Sequence, residues 1–359
     1  MYEDLIDRFI YTPGPVKMSP SVLKLGAVQT PYFRNAAFSK ILLDCESMLL
    51  ALANAPQESR VVFLTAAGTA AMEATVINLF GPEQAVGVVN GGSFGQRFVD
   101  ICRTHCIPTQ EVVVDRDPLT DGHALAKLDA VSGVLVNAHE TSVGHLYDLG
   151  ATAAYCQYHH ALHVVDAISL FVSDPLDMQA NHIDARVISS HKGLALPPGL
   201  AMVLLAPSAI AKIRPSGSYY LDFASHLRDG ERGQTPFTPA ISIILQLHRR
   251  LLDLSAMGFA AQWQLTASVA AHFRNSLDGL PLRFYACHMP NAMTALELTN
   301  DMSASWVVAQ LEKQYRCVVA PNGGALREKV FRVSHMGMTD IQDMDRLVVA
   351  LRSLLGDQQ

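Results

Sequence analysis

Seven short apolar runs between about residues 60 and 205 constrain the fold of this chain more than any other feature. The spacers between them are long enough for helices. Continuous apolar runs of this length predict strands that are buried on both faces of a mostly parallel sheet, with helical connections. We therefore expect an α/β fold that binds its ligands at the carboxyl ends of the strands. The runs are 60–64, 85–89, 111–114, 133–136, 162–165, 185–188 and 201–205.

The chain after Pro207 has a different pattern, in which longer helices alternate with short strands. This pattern predicts a smaller C-terminal α/β domain that packs on the first. The first fifty or so residues resemble an arm followed by one helix. We expect an N-terminal arm (1–20), a large domain (21–255) and a small domain (256–359) that part of the N-terminal segment completes. The expected helices are 238–257, 261–277 and 340–355, and the expected strands are 295–298 and 330–333.

Composition excludes several classes of function. Half of the 359 residues are hydrophobic and 17% are charged, as in a well-buried enzyme, and the net charge of -6 argues against a nucleic-acid binder. The apolar runs are too short to span a membrane, and Met1 to Arg8 has no signal-peptide pattern. The six cysteines form no CxxC pair and are expected to be reduced thiols. We therefore expect a cytoplasmic protein without a nucleic-acid or membrane partner.

Three of the runs end in residues that can carry chemistry. Gly68 and Thr69 follow the first run at a predicted helix start, where backbone N–H groups can bind a phosphate; an ordinary capped turn is the alternative. Asp166 ends an apolar strand and needs a cationic partner, such as a protonated pyridine nitrogen, unless it caps a turn. Lys192 follows another strand before Gly193, and a desolvated lysine there can form an imine with an aldehyde, although a surface lysine fits too. Together these residues predict one pyridoxal 5'-phosphate (PLP) site.

The order of these motifs resembles the class V (alanine–glyoxylate aminotransferase-like) branch of the fold-type I PLP enzymes, nearly end to end. The resemblance implies a PLP-binding large domain, with a mostly parallel seven-stranded sheet between helices, and a smaller C-terminal α/β domain. Three segments, 90–95, 139–142 and 218–222, resemble the 2-aminoethylphosphonate:pyruvate transaminases most. The matching segments are Thr12–Pro15, Gly68–Thr69, Asn90–Gly95, His139–Gly144, Val165–Ser169, Ser189–Lys192, Thr235–Pro239 and Phe331–Gly337.

The resemblance also implies a role for each matching residue. Lys192 would form the Schiff base and then move a proton, and Asp166 would pair with the pyridine nitrogen. Phe94 would stack on the cofactor ring, and Thr141 would hydrogen-bond its phenolic oxygen. The residues implied around the phosphate are Gly68, Thr69 and either Ser189 or Ser190.

Substrate and partner contacts are implied in the same way. Arg332 would clamp the substrate carboxylate with its planar fork. Glu140 would support the loop of Thr141 and is counted with Arg332 among the substrate-binding residues. Thr235 and Thr238 lie in the segment with which a neighbouring subunit completes the phosphate site, so a homodimer with shared active sites is implied.

Two histidine features of the sequence do not follow the family pattern. His191 stands before the lysine, where many relatives have glutamine or asparagine, and it can reach a phosphate or be structural. His159, His160 and His163 have a spacing that suggests a metal, but no carboxylate or cysteine pattern accompanies them, so no metal is expected.

The expected reaction is a transamination from a small amine to pyruvate or glyoxylate. A donor such as 2-aminoethylphosphonate is favoured, and its phosphonate would need cations, for which Arg34, Arg97, Arg228 and Arg232 are candidates. A serine/alanine–glyoxylate aminotransferase is the nearest alternative. A class V lyase, another biosynthetic PLP reaction and a non-catalytic protein with a vestigial PLP fold are the others. A desulfurase is disfavoured because no cysteine lies in an evident Gly/Ser-rich loop.

Overall fold

The computed structural model describes residues 6–114 and 124–356. Residues 1–5 of the predicted arm and 357–359 of the predicted small domain lie outside the described residues. The strands are β1 (Phe9–Ile10), β2 (Arg60–Leu64), β3 (Val86–Asn90), β4 (Thr109–Val113), β5 (Gly133–Asn137), β6 (His139–Glu140), β7 (His145–Leu146), β8 (Leu162–Asp166), β9 (Ala185–Ser189), β10 (Ala201–Leu205), β11 (Leu282–Phe284), β12 (Met293–Leu298), β13 (Cys317–Val318), β14 (Ala320–Pro321) and β15 (Val330–Ser334). The α-helices are α1 (Pro20–Gly26), α2 (Ala36–Leu52), α3 (Gly68–Leu79), α4 (Ser93–Thr104), α5 (Gly150–His159), α6 (Pro207–Ile210), α7 (Phe223–Gly230), α8 (Ile241–Met257), α9 (Phe259–Asn275), α10 (Ala304–Tyr315) and α11 (Ile341–Leu355).

The large sheet contains seven strands within the described residues, in the order β2-β10-β9-β8-β5-β3-β4. All seven apolar runs of the sequence form these strands. Strand β10 is antiparallel to both of its neighbours, and the other pairings are parallel. The predicted mostly parallel α/β sheet is therefore confirmed, and the carboxyl ends of its six parallel strands lie along one edge.

Side chains of the sheet alternate between two apolar layers. In β2, Val61 and Phe63 pack into one layer with α2 and α8, whereas Val62 and Leu64 pack into the other with α3, α4 and α7. Burial on both faces explains why the strands are continuous apolar runs in the sequence rather than alternating ones.

A second sheet of order β11-β12-β15-β14 packs against α9, α10 and α11 through a separate apolar cluster. The N-terminal segment contributes to this part of the molecule, because β1 pairs in parallel with β13 and the Tyr11 hydroxyl donates to the Asp343 carbonyl over 2.9 Å. The exact domain boundaries remain predictions.

The first fifty residues contain two helices where one was expected. Helix α1 begins after Ser19, whose hydroxyl accepts from the Val22 N–H, and Pro20 occupies its first turn. Serine followed by proline is a typical helix start, so a local signal was present. None of the helices in the described part of the chain is long and apolar enough to cross a bilayer.

Candidate active site

A cavity of about 240 Å³ lies at the carboxyl edge of the large sheet. Its walls come from the segments that follow β2, β3, β5, β8 and β9, which are far apart in sequence. Six of the predicted site residues line it: Gly68, Thr69, Phe94, Thr141, Asp166 and Lys192. The other lining residues are Ala67, Arg97, Ile168, Ser169 and His191.

One end of the cavity is the N-terminus of α3. The residue before this helix is Ala67, so no side chain of the described residues caps its first N–H groups. A Cβ on Gly68 would lie 2.7 Å from Ile168 Cδ1 and 3.3 Å from Ser189 Cβ, so a larger residue here would have to displace these two side chains. Uncapped N–H groups at a close-packed helix start suit a phosphate.

Ser189 and Ser190, which the sequence left as alternatives, have different surroundings. Ser189 is buried beside Gly68, and its hydroxyl lies 3.0 Å from His191 Nδ1. The Ser190 hydroxyl donates instead to the Pro197 carbonyl over 2.6 Å. Position therefore favours Ser189 as the serine near the phosphate end.

Asp166 ends β8 and is 6% exposed. One carboxylate oxygen accepts from Asn137 Nδ2 over 2.6 Å and the other from the Ile168 N–H over 2.8 Å. Burial raises the pKa of Asp166 to about 6, because it outweighs these two donors. Asp166 forms no ion pair among the described residues, so a carboxylate that lines the cavity has no cationic partner in contact.

Lys192 lies in the turn after β9 and is covered by the N-terminal segment. Its Nζ donates to the Pro13 carbonyl over 2.5 Å, and a Cβ on Gly14 would lie 2.6 Å from Lys192 Cδ. Burial lowers the pKa of Lys192 to about 8, with further lowering by Arg332 and Arg97. Such a lysine has a far larger neutral, nucleophilic fraction at neutral pH than a solvated one.

Phe94 and Arg97 form one wall, on the first turns of α4. The Arg97 guanidinium carbon lies 4.6 Å from the centre of the Phe94 ring, and Arg97 Nη1 donates to Thr69 Oγ1 over 3.1 Å. Arg97 forms no salt bridge within the described part of the chain.

Glu140 is fully buried and holds the start of α4, which carries Phe94 and Arg97. Its carboxylate accepts from the N–H groups of Phe94 (3.3 Å) and Gly95 (2.9 Å) and from the Ser142 hydroxyl (2.5 Å). The carboxylate therefore stabilises the positive end of α4. This geometry favours loop support for Glu140 over a direct substrate contact.

Thr141 lines the cavity and belongs to a group of buried polar side chains. Its hydroxyl donates to Ser169 Oγ over 2.6 Å, and Ser169 Oγ lies 2.9 Å from His139 Nδ1. Arg332 is tied to the same segment, because its Nη1 donates to the Thr141 carbonyl over 3.1 Å and its Nη2 to the Pro321 carbonyl over 2.7 Å. Arg332 is half-buried and is not among the residues that line the cavity, but its charge lowers the pKa of Lys192.

Thr235 and Thr238 do not line this cavity. The Thr235 hydroxyl donates to the Phe237 carbonyl over 2.7 Å, Arg34 donates to the Thr235 carbonyl over 3.0 Å, and Thr238 is exposed. Within one chain, the structure does not bring these two residues to the other predicted site residues.

Several neighbours of the site were given no role from sequence. Asn137 follows an apolar strand just as Asp166 does, so the same rule could have found it. Pro13, His139 and Ser169 lie inside motifs that were recognised, but their contacts join distant segments and carry no local signal.

A larger cavity, of about 690 Å³, lies at the opposite edge of the sheet beside Leu162, Asp184 and Ala206. It contains none of the predicted site residues. The His163 ring nitrogens lie 3.0 Å from Thr152 Oγ1 and from the Asn181 carbonyl. Among the described residues, no group of three histidine, cysteine or acidic side chains is arranged to hold a metal.

Comparison with known proteins shows the family to which this chain belongs. The model of "Aminotransferase class-V" matches residues 27–346, so the chain belongs to the class V aminotransferases. It is a PLP-dependent aminotransferase with the fold-type I architecture. The predicted family, cofactor and enzyme class are thereby confirmed.

Three relatives cover nearly the whole chain. A soluble hydrogenase small subunit from a Synechococcus species is 29% identical, over 96% of this chain and 92% of that protein. A 2-aminoethylphosphonate–pyruvate transaminase from Pseudomonas fluorescens is 26% identical, over 99% and 98%. The crystal structure of a subgroup IV aspartate aminotransferase from Thermus thermophilus has a TM-score of 0.91 at 29% identity, over 98% and 100%.

The residues present fit PLP. The start of α3 suits the phosphate, Asp166 is a buried carboxylate without a cation in contact among the described residues and suits the pyridine nitrogen, and Lys192 has a lowered pKa.

Proposed function

We propose that this enzyme transfers the amino group of a small anionic amine, with 2-aminoethylphosphonate or a related aminophosphonate favoured, to pyruvate or glyoxylate. The observation that carries the proposal is the meeting of Lys192, Asp166 and the uncapped α3 start in one cavity, with Arg332 close enough to lower the pKa of Lys192. Bound PLP supplies an aldehyde that condenses with amines and a ring that withdraws electrons from the substrate Cα.

The protein's own groups hold and polarise the ring. The Asp166 carboxylate pairs with the ring nitrogen and keeps it protonated, while Asn137 and the Ile168 N–H fix the orientation of that carboxylate. Phe94 stacks on one face, held by the Glu140 contacts to its helix. The N–H groups at Gly68 and Thr69 bind the phosphate, with Ser189 beside them.

Lys192 is the base and acid of the reaction. Burial and, after it, nearby cations lower the pKa of its amine to about 8, so a larger fraction of the amine is neutral at physiological pH than in a solvated lysine. With PLP bound, Lys192 Nζ would be the group that takes the proton from the donor Cα and delivers it to C4′ of the cofactor. Arg332 would hold the carboxylate of the 2-oxo acid and so orient its carbonyl carbon towards the amino group that the cofactor has received, while Lys192 moves the proton in the reverse direction.

The preference for an anionic donor rests on Arg97. Of the four arginines considered from sequence, Arg97 alone lines the cavity, whereas Arg34 contacts Thr235 and Arg232 pairs with Asp229. A phosphonate needs such a cation, and the transaminase from Pseudomonas fluorescens is named for that donor.

Aspartate is the second candidate donor. Arg97 lines the cavity and the charge of Arg332 lowers the pKa of Lys192, so a donor with two carboxylates could meet one guanidinium with each. The Thermus thermophilus relative is named an aspartate aminotransferase.

A homodimer with shared active sites is part of the proposal. The support is that Thr235 and Thr238 lie away from the cavity of their own chain, as expected if they serve a partner's phosphate site. Sedimentation of the PLP-loaded enzyme should give a dimer, and a monomer that binds PLP fully would contradict the shared site. A cytoplasmic location stays a prediction.

The test mixes purified PLP-loaded enzyme with 2-aminoethylphosphonate, aspartate, alanine or serine and follows the cofactor absorbance. An anionic donor should convert the yellow form to the amine form in the wild type, while Lys192→Ala should convert with none. In Arg97→Gln the KM for the anionic donor should rise about 10- to 100-fold, the value of one or two charge-assisted hydrogen bonds. Arg97→Lys, which keeps the charge, is the matched control, and PLP content is measured in each variant.

Other outcomes separate the alternatives. Faster conversion by alanine or serine would identify a serine/alanine–glyoxylate-type enzyme. A yellow protein that no donor converts would point to a lyase or another PLP reaction. All six cysteines are described, and none lines the cavity, which disfavours a desulfurase.

A further inference from the structure

Three buried polar side chains form a chain of hydrogen bonds that leads away from the cavity. Thr141, Ser169 and His139 are 4%, 5% and 2% exposed. Thr141 Oγ1 donates to Ser169 Oγ over 2.6 Å, and Ser169 Oγ lies 2.9 Å from His139 Nδ1. The other ring nitrogen, His139 Nε2, is buried and has no hydrogen-bond partner among the described residues.

Each hydroxyl in this chain has a single proton to donate. If Thr141 gives its proton to the phenolic oxygen of the cofactor, it can no longer donate to Ser169. Ser169 must then donate to Thr141, and Ser169 Oγ needs a donor of its own. Among the described residues, the nitrogen in hydrogen-bond contact with Ser169 Oγ is His139 Nδ1, which donates only when it carries the ring proton.

We propose that His139 is a positioning residue which, by donating from Nδ1 to Ser169, points the hydroxyl proton of Thr141 at the phenolic oxygen of PLP. The inference rests on the cofactor site proposed above, in which Thr141 meets that oxygen. No net proton is gained or lost, because the imidazole stays neutral and only its tautomer is fixed.

The surroundings of His139 keep its ring neutral. Burial lowers the pKa of His139 to about 3, and Lys192 from the β9–β10 turn, Arg332 from β15 and His145 from β7 contribute further lowering. Glu140, the acid next to it in the chain, is occupied by the start of α4. A proton on Nε2 would be a buried donor without an acceptor among the described residues, whereas a proton on Nδ1 has Ser169 Oγ 2.9 Å away.

The consequence is measurable in the colour of the enzyme. A donor to the phenolic oxygen stabilises the cofactor–lysine chromophore most when that oxygen bears a full negative charge, which is its deprotonated form. Donors therefore lower the pH at which the chromophore titrates, and losing them raises it.

The expected shift of the titration midpoint is larger for Thr141, which would contact PLP directly, than for His139 at the far end of the hydrogen-bond chain. Thr141→Val removes the direct charge-assisted bond and should raise the titration midpoint by about 1 to 2 pH units. His139→Phe removes only the support of that bond and should raise the midpoint by about half a unit, since cooperative strengthening is a fraction of one bond.

The experiment titrates the absorption band of PLP-loaded wild type and variants between pH 5 and 10. His139→Asn is the matched control, because its amide can donate from near the Nδ1 position. His139→Gln places its amide near Nε2 instead. We expect a raised midpoint in His139→Phe and His139→Gln and a nearly wild-type midpoint in His139→Asn. Ser169→Ala breaks the chain at its middle and should resemble His139→Phe.

Two results would overturn the inference. Equal shifts in His139→Asn and His139→Phe would mean that packing, not the donor, matters at this position. An unchanged midpoint in both Ser169→Ala and His139→Gln would mean that the chain does not reach the cofactor. A wild type that forms no absorption band would refute the proposed function as well, whereas a normal band with an unaltered titration refutes only this inference.

Discussion

Replacing Asp166 by asparagine should stabilise the cofactor-free enzyme while weakening its hold on PLP. Asp166 is 6% exposed, and burial raises its pKa to about 6 from an ordinary 3.8. A carboxyl whose pKa is raised by folding stabilises the native state fully only below its unfolded pKa. That stability is lost as the pH rises through the folded value, so Asp166 costs free energy above about pH 6.

The size of the effect follows from the two pKa values. A difference of about 2.2 between about 6 and 3.8, at about 1.36 kcal/mol per pH unit, is about 3 kcal/mol. Asparagine is neutral in both states and escapes this cost. It can also pair with Asn137, because Asn137 Oδ1 is buried without a partner among the described residues and can accept from the new amide.

The assay is denaturant unfolding of the cofactor-free proteins at pH 8 and at pH 4.5. Asp166→Asn should exceed wild type by up to about 3 kcal/mol at pH 8, with most of the gain gone at pH 4.5. With PLP bound, the gain should shrink or reverse, since only the carboxylate pairs with the ring nitrogen.

Asp174→Asn is the matched control. Asp174 is also 6% exposed and burial raises its pKa as well, but its carboxylate accepts from the N–H groups of Asn291 (2.9 Å) and Ala292 (3.0 Å) and does not line the cavity. An amide can accept only one of these bonds, and the N–H group left without a partner costs about 1 to 3 kcal/mol, so this variant should gain much less stability at pH 8 than Asp166→Asn or lose some. A cofactor-free Asp166→Asn no more stable than wild type at pH 8 would refute the reasoning about buried charge.

Two further predictions concern Lys192. With a pKa of about 8 instead of 10.5, its neutral fraction at pH 7 is about 300-fold larger, so the rate of PLP loading should level off near pH 8. The control is the rate at which PLP forms an imine with free Nα-acetyl-lysine. A PLP-loading rate of the protein that still rises at pH 10 would contradict the lowered pKa of Lys192. Gly14→Ala would place a Cβ 2.9 Å from Lys192 Nζ at a φ of +130°, and should slow PLP loading at least about tenfold as well as cost about 1 to 3 kcal/mol of stability. Gly217→Ala, at a φ of +70° with no atom within 4 Å, should lose stability while loading PLP normally.

The sequence predicted the large sheet well because its signal is local. Each strand is buried on both faces, so each appears as an apolar run whose length alone distinguishes it from a helix. The position of Asp166 and Lys192 at strand ends followed from the same signal, since the carboxyl ends of parallel strands meet at one edge.

The parts that sequence did not predict are contacts between segments far apart in the chain. Lys192 meets the Pro13 carbonyl across 179 positions, and Thr141 meets Ser169 across 28. No periodicity or composition encodes such pairs, which arise only when the sheet and the N-terminal segment are packed. The short helix α1 was missed for a different reason, because its seven residues are too few to establish a period.

Three groups of the cavity explain why PLP binding should strongly raise the free energy of unfolding. Without it, the protein holds a buried carboxylate at Asp166 without a cation in contact, a lysine whose pKa is lowered, and a helix start that no side chain caps. PLP brings a protonated ring nitrogen, an aldehyde and a phosphate, and each meets one of these groups. Every such match is made in the native state alone, so the free energy of binding adds to the free energy of unfolding. The groups that lower the stability of the cofactor-free enzyme are therefore those that should stabilise the PLP-loaded enzyme. Asp166→Asn removes the buried carboxylate, so it should stabilise the cofactor-free enzyme and weaken PLP binding together.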